Sequence, residues 1–139
     1  NEFTLEHTRF RNNKIIKIID WDLVARGPCF YDLATSLISV FHKNRLNFKF
    51  LANFILAYNK ERPLTNWEKG HIFEMVQFGA FKFAIWNLEE TKDWKFQIKF
   101  FHHDYERIEI IKKYNKEEFN KRLLRALGNS AVLLGASSP

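Results

Sequence analysis

The chain has 139 residues and carries 22 Lys and Arg against 16 Asp and Glu, a formal net charge of +6 at pH 7. A hydrophobic fraction of 46%, with 15 Phe and 4 Trp, excludes an intrinsically disordered chain and predicts one domain with an aromatic-rich core. The single cysteine excludes an internal disulfide and a cysteine-based zinc site.

The distribution of apolar and charged residues bears on location and partners. The N-terminus lacks the basic and apolar regions of a signal peptide. The best apolar run, residues 78–86, is too short for a membrane helix and is interrupted by Lys82. We therefore predict a soluble, cytoplasmic protein with no membrane partner. The lysines are scattered between acids, so the net charge indicates a solvated surface, and nucleic acid is not an expected partner.

The N-terminal part of the chain predicts a β-hairpin. Residues 8–11 and the isoleucine-rich segment 14–19 form its strands, because β-branched residues favour extended backbone. Asn12 and Asn13 tolerate the positive φ angles of a tight two-residue turn. The second strand ends at Asp20, and a loop over residues 22–31 follows, with its tightest point at Gly27-Pro28.

Helical patterns occupy the rest of the chain. Asp32 precedes one apolar helical face. A second apolar helical pattern follows it and ends before Pro63. Thr65 and Glu68 form a capping box that opens a long helix reaching about Glu90. Two further helices are expected. The apolar positions of the first two patterns are Leu33, Leu37, Ile38 and Phe41, then Leu51, Phe54, Ile55 and Tyr58; the last two helices span 105–114 and 116–127.

These elements define the expected fold class. One short hairpin followed by about five helices is an α+β arrangement dominated by helix. The long helix is apolar nearly all round in its second half, which is typical of a helix buried in the centre of a bundle. Gly79, within it, predicts a close helix crossing rather than a break. Residues 128–139 are small and rich in Ser, Ala and Gly, and predict a flexible tail.

The segment Ile18-Ile19-Asp20-Trp21-Asp22, with the later Gly27-Pro28 and Tyr31-Asp32-Leu33-Ala34, carries a family resemblance. It resembles the metal-binding region of the aminoglycoside phosphotransferase/choline kinase family, whose pattern reads roughly I-D-[WF]-[DE]…G-P…Y-D-L-A. The resemblance implies that residues 1–127 are the C-terminal lobe of a protein-kinase-like fold, with the N-terminal lobe and the start of the catalytic loop absent. It also implies Mg²⁺ and ATP as cofactors and a small-molecule hydroxyl as phosphoryl acceptor.

The same resemblance assigns individual residues. The family's catalytic loop, H-[GN]-D-x-x-x-x-N, precedes the metal-binding aspartate at a fixed distance, which places His7 at its asparagine and Glu2 at its catalytic aspartate. Glu2 would then orient the acceptor hydroxyl, and Asp20 and His7 would hold the metal. Glu2 is one methylene longer than aspartate, and the imidazole of His7 suits softer metals than Mg²⁺. Without a family context, Asp20 is a turn residue after a strand.

Two further aspartates belong to this segment. Asp32 matches the family residue that hydrogen-bonds back to the backbone of the catalytic loop, which implies a structural role. An N-cap for a helix beginning at Leu33 explains Asp32 as well, and both interpretations can hold. Asp22 is a second candidate metal ligand, with surface turn chemistry as its alternative.

Two clusters lie outside that segment. An aromatic and acidic cluster at the end of the long helix predicts a substrate-binding surface, or else core rings beside a solvated helix end. Its residues are Trp86, Glu89, Glu90, Asp93 and Trp94. His102-His103-Asp104 is interpreted as a surface helix start rather than a metal site, because adjacent helical side chains point about 100° apart.

Three functions remain open at this point. The first is an ATP- and Mg²⁺-dependent phosphotransferase, of which this chain alone would be inactive because the lobe that clamps ATP is missing. The second is a catalytically degenerate kinase-like module that binds or scaffolds a partner. The third, a basic nucleic-acid binder, has only the net charge behind it.

Overall fold

The computed structural model describes residues 7–21, 26–42, 45–89 and 94–130. Two small antiparallel hairpins and six α-helices make up this part of the chain, so the predicted α+β, mostly helical class is confirmed. The strands are β1 (Thr8–Arg11), β2 (Lys14–Ile18), β3 (Phe41–His42) and β4 (Arg45–Leu46). The helices are α1 (Cys29–Ser36), α2 (Phe48–Glu61), α3 (Asn66–Gly70), α4 (Ile72–Glu89), α5 (Trp94–Ile111) and α6 (Lys116–Leu127).

The first hairpin forms where the sequence predicts it. Asn12 and Asn13 have φ angles of 50° and 58°, the left-handed conformation that a two-residue hairpin turn requires. Thr8 pairs with Ile18 and Arg11 with Lys14, and a β-bulge interrupts the register between Arg9 and Phe10. The hairpin therefore carries the chain from His7 to the turn and back to Asp20.

Helix α1 differs from its prediction at both ends. It begins at Cys29 because Pro28, at the N-cap, fixes an extended backbone that turns directly into the helix. Asp32 consequently lies within the first turn, and its predicted role as the N-cap is wrong. The helix ends at Ser36, and Leu37–Val40 tighten into a 3₁₀ turn. Phe41, predicted to be helical, instead pairs with Leu46 in a short hairpin that the sequence did not predict.

The predicted long helix is divided in two. The capping box of Thr65 and Glu68 is confirmed and opens α3. His71 then leaves helical geometry, with φ −123° and ψ 20°, and its carbonyl accepts from the Met75 amide to begin the next helix. Stacking of the His71 ring on Trp67, with 4.3 Å between ring centroids, stabilises this corner.

Helix α5 begins at Trp94, well before the predicted start near residue 105. His102 and Asp104 therefore lie in the middle of a helix, and the prediction of a helix start at this site is wrong. Asp104 is only 3% exposed and forms an ion pair with Arg107 one turn later. This ion pair with a half-buried arginine explains a buried aspartate inside a helix, which local propensity alone disfavours.

The core lies among α1 and the 3₁₀ turn after it, α2, α4, the end of α5, and α6. Leu37, Leu51, Ile55, Ile111 and Phe119 are inaccessible to solvent at its centre. Gly79 of α4 allows α1 to approach closely, because a Cβ at this position would lie 2.5 Å from the Ala34 carbonyl oxygen. The close helix crossing predicted for this glycine is confirmed. Among the described residues, no helix is both long and apolar enough to cross a membrane.

Candidate metal site at the base of the hairpin

The open end of the first hairpin brings two of the predicted metal ligands together. The Nε2 atom of His7 lies 3.2 Å from an Oδ atom of Asp20. The Ile19 amide donates to the His7 carbonyl oxygen at 2.8 Å, which extends the ladder of the hairpin to this point. The His7 side chain is 21% exposed and that of Asp20 is 52% exposed, so a small ion in water can reach both.

The backbone at Asp20 is what points its carboxylate at His7. Asp20 has a φ of 66°, in the left-handed region that aspartate tolerates better than most residues. The indole N–H of Trp21 donates to the Ile18 carbonyl oxygen at 3.0 Å and closes the turn around Asp20. Non-glycine residues in this conformation are enriched at functional sites.

The two donor atoms are spaced as neighbouring ligands of one metal ion. Ligands that lie about 2.1 Å from a metal and at right angles to each other are separated by about 3.0 Å. The observed 3.2 Å between His7 and Asp20 is close to that value. The same distance also suits a hydrogen bond between imidazole and carboxylate. In the described part of the chain no group of three or more His, Cys, Asp or Glu side chains is placed to hold a metal ion.

The other residues predicted for this site are Glu2, Asp22 and Asp32. Glu2 and Asp22 lie outside the described residues. Asp32 is half-buried in the first turn of α1, where a carboxylate interacts favourably with the helix dipole. The Thr35 hydroxyl shares its hydrogen between the carbonyl oxygens of Tyr31 and Asp32, and these contacts stabilise the turn. The predicted contact of Asp32 with the catalytic loop stays a prediction, because residues 1–6 are outside the described ranges.

The predicted substrate-binding cluster is described only at Trp86. Glu90 and Asp93 lie outside the described residues, and Glu89 is described by its backbone at the end of α4. Trp86 is half-buried, and its ring centroid lies 5.0 Å from the Nζ atom of Lys82. Lys82 also lies over Phe83 at 4.8 Å, and burial lowers the pKa of its ammonium group. This ring cluster therefore holds a cation of the protein itself, which the sequence analysis did not predict.

A second polar cluster was also missed by sequence reasoning. Arg62 donates to Glu68 at 2.9 Å, and Glu68 also accepts from the Thr65 amide and hydroxyl. Burial raises the pKa of Glu68, but these hydrogen bonds outweigh burial and leave the pKa below its ordinary value. The capping box gave a signal for the Thr65 contacts, whereas nothing local indicated Arg62. This cluster fixes the connection between α2 and α3.

A groove of about 430 Å³ lies elsewhere, and no residue of the first hairpin lines it. Arg122, on its wall, donates to Glu118 at 2.7 Å and lies over the Tyr114 ring. Its charge is therefore already compensated within the protein. The lining residues are Arg45, Leu46, Asn47, Phe48, Tyr114 and Arg122.

Comparisons of the chain with protein-family models, with curated proteins and with solved structures give no match. The resemblance to the aminoglycoside phosphotransferase/choline kinase family therefore depends on the motif residues themselves. Of the residues to which the resemblance assigns a role, His7, Asp20 and Asp32 lie in the described part of the chain, and the structure brings His7 and Asp20 together.

Proposed function

We propose that the chain carries the metal- and nucleotide-binding part of a phosphotransferase site that acts on a small-molecule hydroxyl. The observation that supports this proposal most directly is the 3.2 Å approach of the His7 imidazole to the Asp20 carboxylate. The motif spacing that led to this pair was read from the sequence alone. The hairpin, its tight turn and the left-handed backbone at Asp20 are the local features that bring these two side chains together.

Each residue has a defined part in this proposal. Asp20 and His7 would hold a divalent cation beside the nucleotide phosphates. The bound cation would neutralise negative charge on the phosphate oxygens. Asp32 stabilises the start of α1 behind the site. Glu2 is the proposed group that orients the acceptor hydroxyl.

The ligand set makes a specific demand on the metal. Mg²⁺ prefers oxygen ligands, whereas imidazole suits the later transition metals. Mn²⁺ shares the oxygen chemistry of Mg²⁺ but, as a transition metal, accepts an imidazole ligand more readily than Mg²⁺ does. A site formed by His7 and Asp20 should therefore bind Mn²⁺ with ATP more tightly than Mg²⁺ with ATP. Replacing His7 by asparagine restores an oxygen ligand and should move the preference towards Mg²⁺.

The test is a titration of the chain with Mn²⁺ and a non-hydrolysable ATP analogue, followed by the electron paramagnetic resonance signal of free Mn²⁺. We expect nucleotide-dependent Mn²⁺ binding by the unmodified chain and a loss of at least about tenfold in Asp20→Asn. Asparagine keeps the left-handed backbone accessible at this position, so the substitution removes charge without forcing a different turn. His7→Asn should bind Mg²⁺ with the analogue better than the unmodified chain does.

Matched controls are available at exposed positions. His42→Asn on β3 and Glu117→Gln in the first turn of α6 make related chemical changes away from the hairpin. Both should bind Mn²⁺ as the unmodified chain does. Equal affinity in Asp20→Asn and Glu117→Gln would contradict the proposed metal site.

A second candidate function is a kinase-like module that binds a partner without catalysis. Exposed apolar side chains on the first hairpin favour it: Phe10, Ile15 and Ile16 are each more than half exposed. The imidazole and carboxylate of the metal pair also satisfy each other without an ion. Absence of metal-dependent nucleotide binding in the titration above would favour this module over the phosphotransferase site.

A further inference from the structure

The register of the first hairpin separates its side chains by chemistry. Residues directly opposite each other in an antiparallel pair share a face, and alternate residues along a strand share a face. Arg9 pairs with Lys17 and Arg11 with Lys14. These four side chains therefore lie on one face, which we call the cationic face. Phe10 and Ile15 are paired on the other face, and the bulge accommodates Ile16 as the extra residue.

The bulge is what produces this separation. Without it, the pairing of Arg9 with Lys17 would place Phe10 opposite Ile16 and Arg11 opposite Ile15. One extra residue in β2 shifts its pairing with β1, so that Arg11 lies opposite Lys14. The concentration of charge is thus a property of the folded hairpin, and the sequence spacing alone does not show it.

The cationic face is electrostatically unfavourable by itself. Like charges directly opposite on one face of a sheet are destabilising, and Arg11 and Lys14 form such a pair, with Lys17 on the same face. The Arg9 guanidinium donates to the Thr8 carbonyl oxygen at 3.1 Å. All four side chains are exposed. Within the described ranges, Arg11, Lys14 and Lys17 form no ion pair with a carboxylate. An anion bound beside Arg11, Lys14 and Lys17 would relieve the repulsion among them.

We propose that the cationic face binds a compact polyphosphate of two or three linked phosphate groups. Opposed side chains of the hairpin begin about 5 Å apart, and alternate positions along a strand are about 7 Å apart. A compact group of cations with these spacings fits a short chain of phosphates better than the continuous backbone of a nucleic acid. Lys49 and Lys60 lie on a separate element, α2.

This site is distinct from the His7–Asp20 pair in both position and chemistry. Its four residues lie between His7 and Asp20 in the chain, on the strands and beside the turn rather than at the open end of the hairpin. Guanidinium and ammonium groups bind phosphate directly, so binding at the cationic face needs no metal ion. Measurements in excess EDTA therefore test it separately from the proposed metal site.

The experiment is isothermal titration of the chain with inorganic triphosphate in EDTA at about 0.1 M salt, where the Debye length is about 10 Å. We expect saturable binding with one triphosphate per chain, and a dissociation constant about tenfold higher in the double variant Arg11→Gln/Lys14→Gln, because each exposed charge pair contributes modestly. The control Lys49→Gln/Lys60→Gln removes the same net charge from α2 and should leave the affinity within about twofold, since screening limits distant charges. Circular dichroism should show both variants folded.

Three further arms decide what the face recognises. ATP in EDTA should bind about as tightly as inorganic triphosphate, because the face contacts phosphate and not the base. Asp20→Asn should retain triphosphate binding. Equal loss in the two double variants would overturn the site, and tighter binding of polyglutamate or of oligothymidylate than of triphosphate would overturn the assignment of its ligand.

Discussion

The helical body, formed by α1 to α6, and the first hairpin, formed by β1 and β2, differ in how far their apolar side chains are exposed to solvent. At the centre of the body, Leu51, Ile55 and Phe119 are completely inaccessible to solvent. On the hairpin, Phe10 and Ile15 are 56% and 54% exposed. The body therefore supplies the free energy of folding, while the hairpin holds the groups proposed to bind metal and phosphate. An isolated two-stranded hairpin is marginally stable in water, so this one depends on what it is attached to.

This difference predicts that stability and binding can be altered separately. Substitutions in the body should change the free energy of unfolding without a specific effect on ligand affinity in the folded protein. Substitutions on the exposed hairpin should change ligand affinity while leaving global unfolding nearly unchanged. The predictions below test this separation, beginning with the largest expected effect.

Phe119→Ala should destabilise the body by about 3–5 kcal/mol, because it removes a fully buried ring from the core. The ring packs against Phe73 and Phe48, with centroids 5.0 and 5.3 Å away. Urea denaturation followed by circular dichroism measures the effect. Leu124→Ala, on the exposed side of the same helix, is the control and should cost less than about 1 kcal/mol. Similar losses in the two variants would show that α6 does not form this core.

Gly79→Ala should cost about 1–3 kcal/mol, because the added methyl group collides with the backbone of α1 and forces the helices apart. The ideal Cβ position is 2.5 Å from the Ala34 carbonyl oxygen, and a backbone atom cannot move aside as a side chain can. Gly70→Ala, at the end of α3, has nothing within 4 Å and is the matched control.

Thermal denaturation of the two glycine variants gives the comparison directly. Gly70→Ala should be neutral or slightly stabilising, since alanine has the higher helix propensity. Equal midpoints for Gly79→Ala and the unmodified chain would mean that α1 and α4 do not cross as closely as the structure has them.

Glu68→Gln should destabilise the body by about 1–3 kcal/mol at neutral pH, because charge-assisted hydrogen bonds from Arg62 and Thr65 are weakened. The folded-state pKa of Glu68 lies below its ordinary value of 4.5, so its ionised form stabilises the fold above that pH. This contribution is lost as the pH falls through the lowered pKa. The difference between variant and unmodified chain should therefore shrink in acid.

Denaturation at a series of pH values separates this effect from general acid unfolding. Glu118→Gln, whose carboxylate is paired with Arg122 near the surface, is the control and should have a much smaller effect at any pH. A difference for Glu68→Gln that grows as the pH falls would have the wrong sign for the proposed contact.

Features determined by neighbours in the chain were predictable from the sequence. The Asn12-Asn13 turn and the capping box of Thr65 and Glu68 each depend on residues within a few positions of each other, and both formed as predicted. The division between α3 and α4 depends on the conformation of His71 and on its contact with Trp67. Neither residue type interrupts a helix by itself, so the sequence pattern continued through it.

The candidate site shows the same limit. The spacing of His7 and Asp20 suggested a common function, but their distance depends on the register and on the left-handed backbone at Asp20. The cationic face depends on a β-bulge, and no residue type in these strands predicts that bulge. In both cases the sequence showed which chemical groups were present. Their positions relative to one another depend on how the two strands pair, which the sequence did not show.

The smallest expected effect sharpens the comparison most, because it acts on the hairpin alone. Asn13→Gly should stabilise the hairpin by a few tenths of a kcal/mol up to about 1 kcal/mol, since glycine adopts the φ of 58° at this position without strain. Hydrogen exchange of the hairpin amides should slow, while the denaturation midpoint of the body stays the same. A midpoint that rises with the hairpin protection would mean that the two regions unfold as one unit. The separation between a stabilising body and a binding hairpin would then be wrong.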